Sequence, residues 1–152
     1  MNTDVMIETA LALVSFEQAE LLQRAGFNYK TKYHYCNLVK SDKPTEWGLL
    51  SKPTGYDVDW NDKEHYGLND AYGWNNISAP SVSLAVKWLR EEKEIHIFTT
   101  KYIGGWEYQI QLLFKPLDKK LYTLLTYDSC ESHEDGESKG LNHALKYLLK
   151  GK

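Results

Sequence analysis

The chain has 152 residues, of which 42% are apolar and 26% are charged, and it carries a formal net charge of −3 at pH 7. This composition excludes a disordered tail and a fibrous protein, and it fits one folded domain with its own core. No apolar run approaches the roughly 20 residues that a membrane-spanning helix needs, and the first residues lack the pattern of a signal peptide. We therefore expect a cytoplasmic protein with a single α+β domain over residues 1–152.

Charge and cysteine content narrow the function classes further. Residues 1–76 contain 7 Lys and Arg against 11 Asp and Glu, and residues 77–152 contain 11 against 10. Neither half therefore has the strong positive charge of a nucleic-acid-binding surface. Cys36 and Cys130 are the only cysteines, which is too few for a disulfide scaffold.

The first predicted element is a helix from about Phe16 to Ala25. Ser15 and Gln18 have the spacing of a capping box, in which each side chain satisfies a backbone N–H of the other residue. Gly26 follows as a residue that readily adopts the positive φ with which many helices end. Alternating tyrosines between residues 28 and 39 then predict a half-buried strand.

Residues 52–78 are unusual because they combine glycines, acidic residues and aromatic side chains. The sequence predicts a long irregular segment here, and long ordered loops are often functional. Aromatic and arginine side chains dominate the energetics of protein interfaces, so these rings and two residues of the next helix are candidates for binding a partner. The candidate partner-binding residues are Tyr56, Trp60, Tyr66, Tyr72, Trp74, Trp88 and Arg90. For Trp88 the sequence favours a packing role between its helix and the aromatic segment over an exposed role as an anchor.

The second half predicts a helix, three antiparallel strands and a final helix. The first helix is capped by Ser78 or Ser81 and ends near Glu92. The third strand covers Leu121–Tyr127, and a stripe of apolar residues from Leu141 onward marks the last helix. An antiparallel sheet covered by helices defines the α+β class.

A β-hairpin is predicted between the first two of these strands. Apolar and polar residues alternate on both sides of Gly104-Gly105, which fits a two-residue turn. With that turn, Ile103 faces Trp106 and both side chains share the buried face of the sheet.

Several motifs carry a resemblance to a known family. They are Val14–Leu22, Ala25–Phe27, Ser78–Ser81 and Lys87–Glu91, with the Lys-Trp-Leu-Arg-Glu motif as the most specific. On these residues the chain resembles small uncharacterised proteins encoded by phages and mobile elements of gut Bacteroides-type bacteria. The resemblance covers most of residues 14–150 and departs at 130–140, where an acidic, glycine-containing stretch replaces a direct helix start. It implies a shared origin and fold, and it implies no activity.

The sequence motifs that could indicate metal binding or catalysis are incomplete. Residues 57–61 imitate the start of a calcium-binding EF-hand loop, but the glycine and the glutamate that such a loop needs further on are missing. Cys130, His133 and His143 contain only one zinc-like spacing, and the acids around Cys130 would raise the pKa of its thiol. Since no phosphate-binding or hydrolase motif is present either, we expect a non-enzymatic protein with no metal and no cofactor.

The predicted function is therefore binding of a protein partner, from the host or from the phage, with homo-oligomerisation left open. The alternative is a nucleic-acid-binding module, because helix–three strands–helix is the order of double-stranded-RNA-binding domains. Those domains use lysines to contact phosphates, whereas acidic residues surround Lys139 in this chain. A stacking surface for bases would then consist of His96, Phe98, Thr100, Tyr102, Glu107 and Gln109.

Overall fold

The computed structural model describes residues 12–38, 48–51, 57–62, 74–112 and 123–150. These residues contain three helices and two antiparallel sheets of three strands each, which confirms the α+β class. None of these helices is both long and apolar enough to cross a bilayer.

The chain divides into two compact units. One is Leu13–Pro80, which we call the N-terminal unit, and the other combines Met1–Ala12 with Ser81–Lys152, which we call the C-terminal unit. Each unit contains one of the two sheets.

The N-terminal unit contains one helix and three strands. Helix α1 is Phe16–Ala25, strand β1 is Tyr33–Leu38, strand β2 is Gly48–Ser51 and strand β3 is Trp74–Ser78. The strand order is β2-β1-β3, so the first strand in the sequence lies in the middle of the sheet. Strand β3 occupies the last residues of the segment that the sequence predicted to be irregular. Residues 52–56 and 63–73 of that segment lie outside the described residues.

Helix α1 has the capping interactions that the sequence predicts. The Ser15 hydroxyl accepts a hydrogen bond from the Gln18 backbone N–H at 3.1 Å, and the Gln18 side chain accepts one from the Ser15 N–H at 3.0 Å. Gly26 ends the helix with a φ of 96°, a conformation that favours glycine. The helix covers one face of its sheet, where the rings of Phe16 and Tyr35 meet edge-on with centroids 5.5 Å apart.

The C-terminal unit has the predicted order of helix, three strands and helix. Helix α2 is Val82–Glu92, strand β4 is Ile95–Tyr102, strand β5 is Gly105–Leu112, strand β6 is Thr123–Cys130 and helix α3 is His133–Lys150. The strand order is β4-β5-β6, and both helices pack against the sheet. The fully buried side chains of this core include Trp88, Leu89, Tyr108, Ile110, Leu141 and Leu145.

The hairpin between β4 and β5 has a different turn from the one predicted. Tyr102 pairs with Gly105, so the turn consists of Ile103 and Gly104. Gly105 has a φ of 143°, which explains why glycine is needed at the start of β5. The register differs from the predicted one by two residues, and side chains alternate with a period of two, so the residues within the strands keep their predicted faces. Ile103 is the exception, because it lies in the turn and not opposite Trp106 on the buried face.

Helix α3 begins at His133, before the glycine-containing stretch and not after it. The Ser132 hydroxyl accepts a hydrogen bond from the Asp135 N–H at 3.0 Å, and the Asp135 carboxylate accepts one from the Glu131 N–H at 2.9 Å. The first bond satisfies a backbone donor that the first helical turn leaves unpaired, and the second ties the residue before the cap to that turn. Gly136 and Gly140 therefore lie inside the helix, where both are buried.

Candidate functional site

The predicted partner-binding residues do not form an exposed surface in the part of the chain that the structure describes. Trp60 and Trp88 are buried, with 7% and 1% of their surfaces exposed, whereas Arg90 on α2 is exposed. For Trp74 the structure describes the backbone in β3 only, and Tyr56, Tyr66 and Tyr72 lie outside the described residues.

The two buried tryptophans have structural contacts instead. The Trp60 indole N–H donates a hydrogen bond to the Thr31 carbonyl at 3.0 Å, and its ring stacks on His34 with centroids 3.6 Å apart. The ammonium of Lys93 lies 5.5 Å from the centre of the Trp88 ring. The burial of Trp88 agrees with a packing role better than with an exposed anchor.

The N-terminal unit has a buried polar pair between β1 and β3. His34 pairs with Ser78 in the sheet register, and only 7% of His34 and none of Ser78 is exposed. Neither His34 Nδ1 nor the Ser78 hydroxyl has a hydrogen-bond partner in the described structure. Burial lowers the pKa of His34 from 6.5 to about 4, so the ring is neutral near pH 7.

Asn61, which belongs to the calcium-like motif, joins three parts of the N-terminal unit. Its amide nitrogen donates to the Phe27 carbonyl at 2.9 Å, and its oxygen accepts from the Ser78 N–H at 3.1 Å. Its own backbone N–H donates to the Asp59 carboxylate at 3.0 Å. These side chains are thus used for internal structure.

Ser78→Ala is expected to stabilise the protein by about 1 kcal/mol. A buried hydroxyl without a partner loses its hydration and gains no hydrogen bond, which costs about 1–3 kcal/mol in proteins. Urea denaturation followed by circular dichroism measures the change, with the exposed Ser129→Ala as a control that leaves stability unchanged. A loss of stability in Ser78→Ala contradicts the expectation, because it means that the hydroxyl has a partner.

The strongest candidate site lies at one end of the C-terminal unit. Trp106 pairs with Cys130 across β5 and β6, and α3 begins three residues later, so the β4–β5 turn and the start of α3 lie at the same end of the sheet. The rings of Trp106 and His133 have centroids 6.3 Å apart. We call this end the hairpin end and define it by Tyr102, Ile103, Trp106, His133, Glu134 and Glu137.

The hairpin end exposes apolar surface. Ile103 is fully exposed, with a relative accessibility of 108%, and the neighbouring Tyr102 is 47% exposed. Lys101 lies opposite Trp106 in the register, with its ammonium 5.8 Å from the centre of that ring. An apolar tip thus projects from the two-residue turn.

A chain of polar contacts fixes the start of α3 beneath this tip. His133 Nδ1 forms a hydrogen bond with the Thr99 hydroxyl, and His133 Nε2 lies 3.3 Å from Glu137 Oε1. The Ser83 hydroxyl donates to the same Glu137 oxygen at 3.4 Å. In a hydrolytic triad the histidine stands between the serine and the carboxylate. Here the serine contacts the carboxylate directly, so Ser83, Glu137 and His133 do not have the arrangement of such a triad.

A pocket of about 210 Å³ opens beside these contacts. Side chains from the starts of α2 and α3 line it together with Ala12, and all of them belong to the C-terminal unit. The lining residues are Ala12, Ser81, Val82, Ser83, His133, Glu134 and Glu137. Pockets for drug-sized molecules have volumes of about 300–1,000 Å³, so this one suits a smaller group.

The possible zinc ligands are not brought together. The described residues contain no group of three or more His, Cys, Asp or Glu side chains arranged to hold a metal ion. His143 Nδ1 is 2.6 Å from the Tyr108 hydroxyl. Burial and the neighbouring Asp135 raise the pKa of the Cys130 thiol, and a raised pKa disfavours the thiolate that a nucleophile or a metal ligand needs.

Comparison of the chain with protein-family models, with curated proteins and with solved structures finds no match. Sequence reasoning missed the hairpin end because Ile103 fitted the alternating pattern of buried residues. The available signal was its position beside two glycines, where a turn is expected.

Proposed function

We propose that the protein is a non-enzymatic binding protein whose protein partner docks at the hairpin end. The observation that carries the proposal is the full exposure of Ile103 at the tip of the β4–β5 turn. Turn positions favour Gly, Pro, Asn, Asp and Ser, so a β-branched apolar residue contributes nothing to the turn itself. Burying an isoleucine side chain against a partner, by contrast, contributes about 1.5–3 kcal/mol.

Tyr102 supports the same surface. Its half-exposed ring adjoins Ile103, and tyrosine is enriched among the residues that dominate binding energies at protein interfaces. The two-residue turn places Ile103 directly after Tyr102 at the end of β4, and so short a connection leaves the backbone little conformational entropy to lose on binding. The pair therefore has the properties of an anchor that inserts into a pocket of the partner.

The charge of the hairpin end favours a protein over a nucleic acid. The first turn of α3 carries Glu134 and Asp135, and Lys139 is paired with Asp135 at 3.1 Å. Nucleic-acid-binding surfaces neutralise phosphates with lysine and arginine, and carboxylates at that place repel them. We therefore propose a protein partner and keep nucleic-acid binding as an outcome of the test.

The resemblance of residues 14–150 to phage and mobile-element proteins suggests where the partner occurs. We propose that it is a host or phage protein in the host cytoplasm.

Ile103→Asp is expected to reduce capture of the partner by roughly tenfold or more without loss of folding, because a charge replaces the apolar anchor. Tagged full-length protein is purified from a gut Bacteroides-type host, and bound protein is quantified against the bait. Tyr147→Asp is the matched control, since Tyr147 is 46% exposed on α3 and lies outside the hairpin end. Thermal denaturation of both variants establishes that the fold is retained.

Two results would overturn the proposal. One is equal capture of a stoichiometric protein by wild type and Ile103→Asp. The other is recovery of nucleic acid alone with a steep dependence on salt concentration, which supports phosphate contacts instead.

A further inference from the structure

We propose that the pocket of the hairpin end binds an arginine or lysine side chain of the protein partner. This inference rests on the proposed function, because it assigns a chemistry to the partner of the same surface. The size of the pocket, its charge and its apolar wall support this assignment.

The size of the pocket limits its occupant. A volume of about 210 Å³ lies below the range of about 300–1,000 Å³ for drug-sized ligands. A single long side chain from a docked protein fits such a space. The pocket also lies at the same end of the unit as Ile103, so one partner can reach both.

The charge of the pocket selects a cation. Glu137 is anchored through Oε1, which accepts a hydrogen bond from the Ser83 hydroxyl and lies 3.3 Å from His133 Nε2, and Oε2 has no partner among the described residues. The side chain of Glu137 is only 16% exposed, so a cation that pairs with it is partly shielded from water. Glu134 adds a second carboxylate, which is exposed and forms no ion pair with another described residue.

The helix ends oppose this charge only weakly. The starts of α2 and α3 each carry a partial positive charge of about half an elementary unit. Ser81 caps α2 by accepting the Leu84 N–H at 3.1 Å, and Ser132 caps α3 in the same way. Two full carboxylates outweigh these partial charges, so the pocket repels phosphate and attracts guanidinium or ammonium groups.

The uncharged wall of the pocket fits the rest of such a side chain. Ala12 and Val82 line it with methyl groups, against which the methylene stem of arginine or lysine can pack. A free divalent cation has less to gain, because calcium takes about six to eight oxygen ligands and the pocket offers two carboxylates. A basic side chain can interact with both parts of the pocket, because its charged end pairs with the carboxylates and its methylene stem packs against the apolar wall.

The proposal is tested with two capped tripeptides that have the same shape, acetyl-Ala-Arg-Ala-amide and its neutral citrulline analogue. Two-dimensional ¹H–¹⁵N NMR of the full chain follows the backbone amides of Ser83, His133, Glu134 and Glu137 during titration. The arginine peptide is expected to shift these signals in a saturable way. Its affinity is expected to be at least about fivefold higher than that of the citrulline peptide, because only arginine forms charge-assisted hydrogen bonds.

Glu134→Gln is expected to weaken binding of the arginine peptide about fivefold, since it removes one charge and no described internal contact. Glu91→Gln is the matched control, because Glu91 lies on α2 outside the pocket and pairs with Lys87. Equal shifts with both peptides, no shifts at all, or equal binding to Glu134→Gln would each overturn the inference.

This test separates the inference from the proposed function. Partner capture that depends on Ile103, without a preference for the arginine peptide, defeats the pocket assignment alone. Selective binding of the arginine peptide, without any partner captured through Ile103, defeats the proposed function and leaves the pocket chemistry in place.

Discussion

Gly140→Ala is expected to destabilise the C-terminal unit by about 1–3 kcal/mol, although alanine favours helices by roughly 1 kcal/mol over glycine. A Cβ atom at this position would lie 2.5 Å from Cγ2 of Ile97 on β4. Ile97 is buried and β-branched, so its methyl group cannot rotate away without an unfavourable rotamer. The helix must move away from the sheet, and the packing of the core is lost with it.

The same argument applies to Gly136, one helical turn earlier. A Cβ there would lie 2.9 Å from the Cys130 sulfur and closer still to Cγ2 of Thr99. Thr99→Ser removes that methyl group and keeps the hydroxyl that contacts His133. In the double variant, Thr99→Ser is therefore expected to recover part of the stability that Gly136→Ala loses.

Urea denaturation of the single and double variants measures these effects. Gly48→Ala is the control, because nothing lies within 4 Å of a Cβ built at that glycine, which has no positive φ. Unchanged or increased stability of Gly140→Ala would mean that helix propensity outweighs the contact with Ile97, which contradicts the expectation.

Lowering the pH from 6.5 to 4 is expected to reduce the free energy of unfolding by up to about 3 kcal/mol through His34 alone. Burial holds the pKa of folded His34 at about 4, whereas the unfolded chain has the ordinary value of 6.5. Between these values the unfolded state binds a proton that the folded state does not bind. The contribution of His34 is therefore fully present above pH 6.5, declines as the pH falls, and levels off below about pH 4.

His34→Phe tests this expectation because phenylalanine has a similar shape and does not titrate. The difference in unfolding free energy between wild type and His34→Phe is measured from pH 7 to pH 4, which cancels the titration of groups common to both. The free energy of unfolding of the variant is expected to increase relative to that of wild type as the pH falls. A constant difference over this range would show that His34 titrates normally in the folded protein.

Local signals were sufficient for parts of the fold. Helix α1 has the predicted ends because Ser15, Gln18 and Gly26 satisfy its backbone through contacts within a few residues. The faces of β4 and β5 also followed from their alternation. The register of these two strands could not be predicted in this way, because it depends on which glycine adopts a positive φ. Gly105 has the positive φ and is the first residue of β5, whereas the sequence placed it in the turn.

Long-range contacts decided the features that sequence reasoning missed. Two glycines within five residues are typical of a break in a helix, and only the close approach of Ile97 and Thr99 shows why α3 continues through Gly136 and Gly140. Composition does not distinguish a buried ring from an exposed one, so the sequence leaves both roles open for Trp60 and Trp88, and only the structure shows that both rings are buried. The pocket and its carboxylates could not be predicted from the sequence, because the pocket forms where the starts of α2 and α3 lie next to each other in the fold.

The two strand orders imply different folding kinetics for the two units. Strands β4 and β5 are joined by two residues, and hairpins of this kind form in about 1–10 μs. The central strand of the other sheet, β1, pairs with β3 across a separation of 36 to 44 residues, so the entropy of closing that loop must be overcome first. The β4–β5 hairpin is synthesised after β1 and β3. It is nevertheless expected to form faster than the pairing of those two strands and to act as a nucleus for its own sheet.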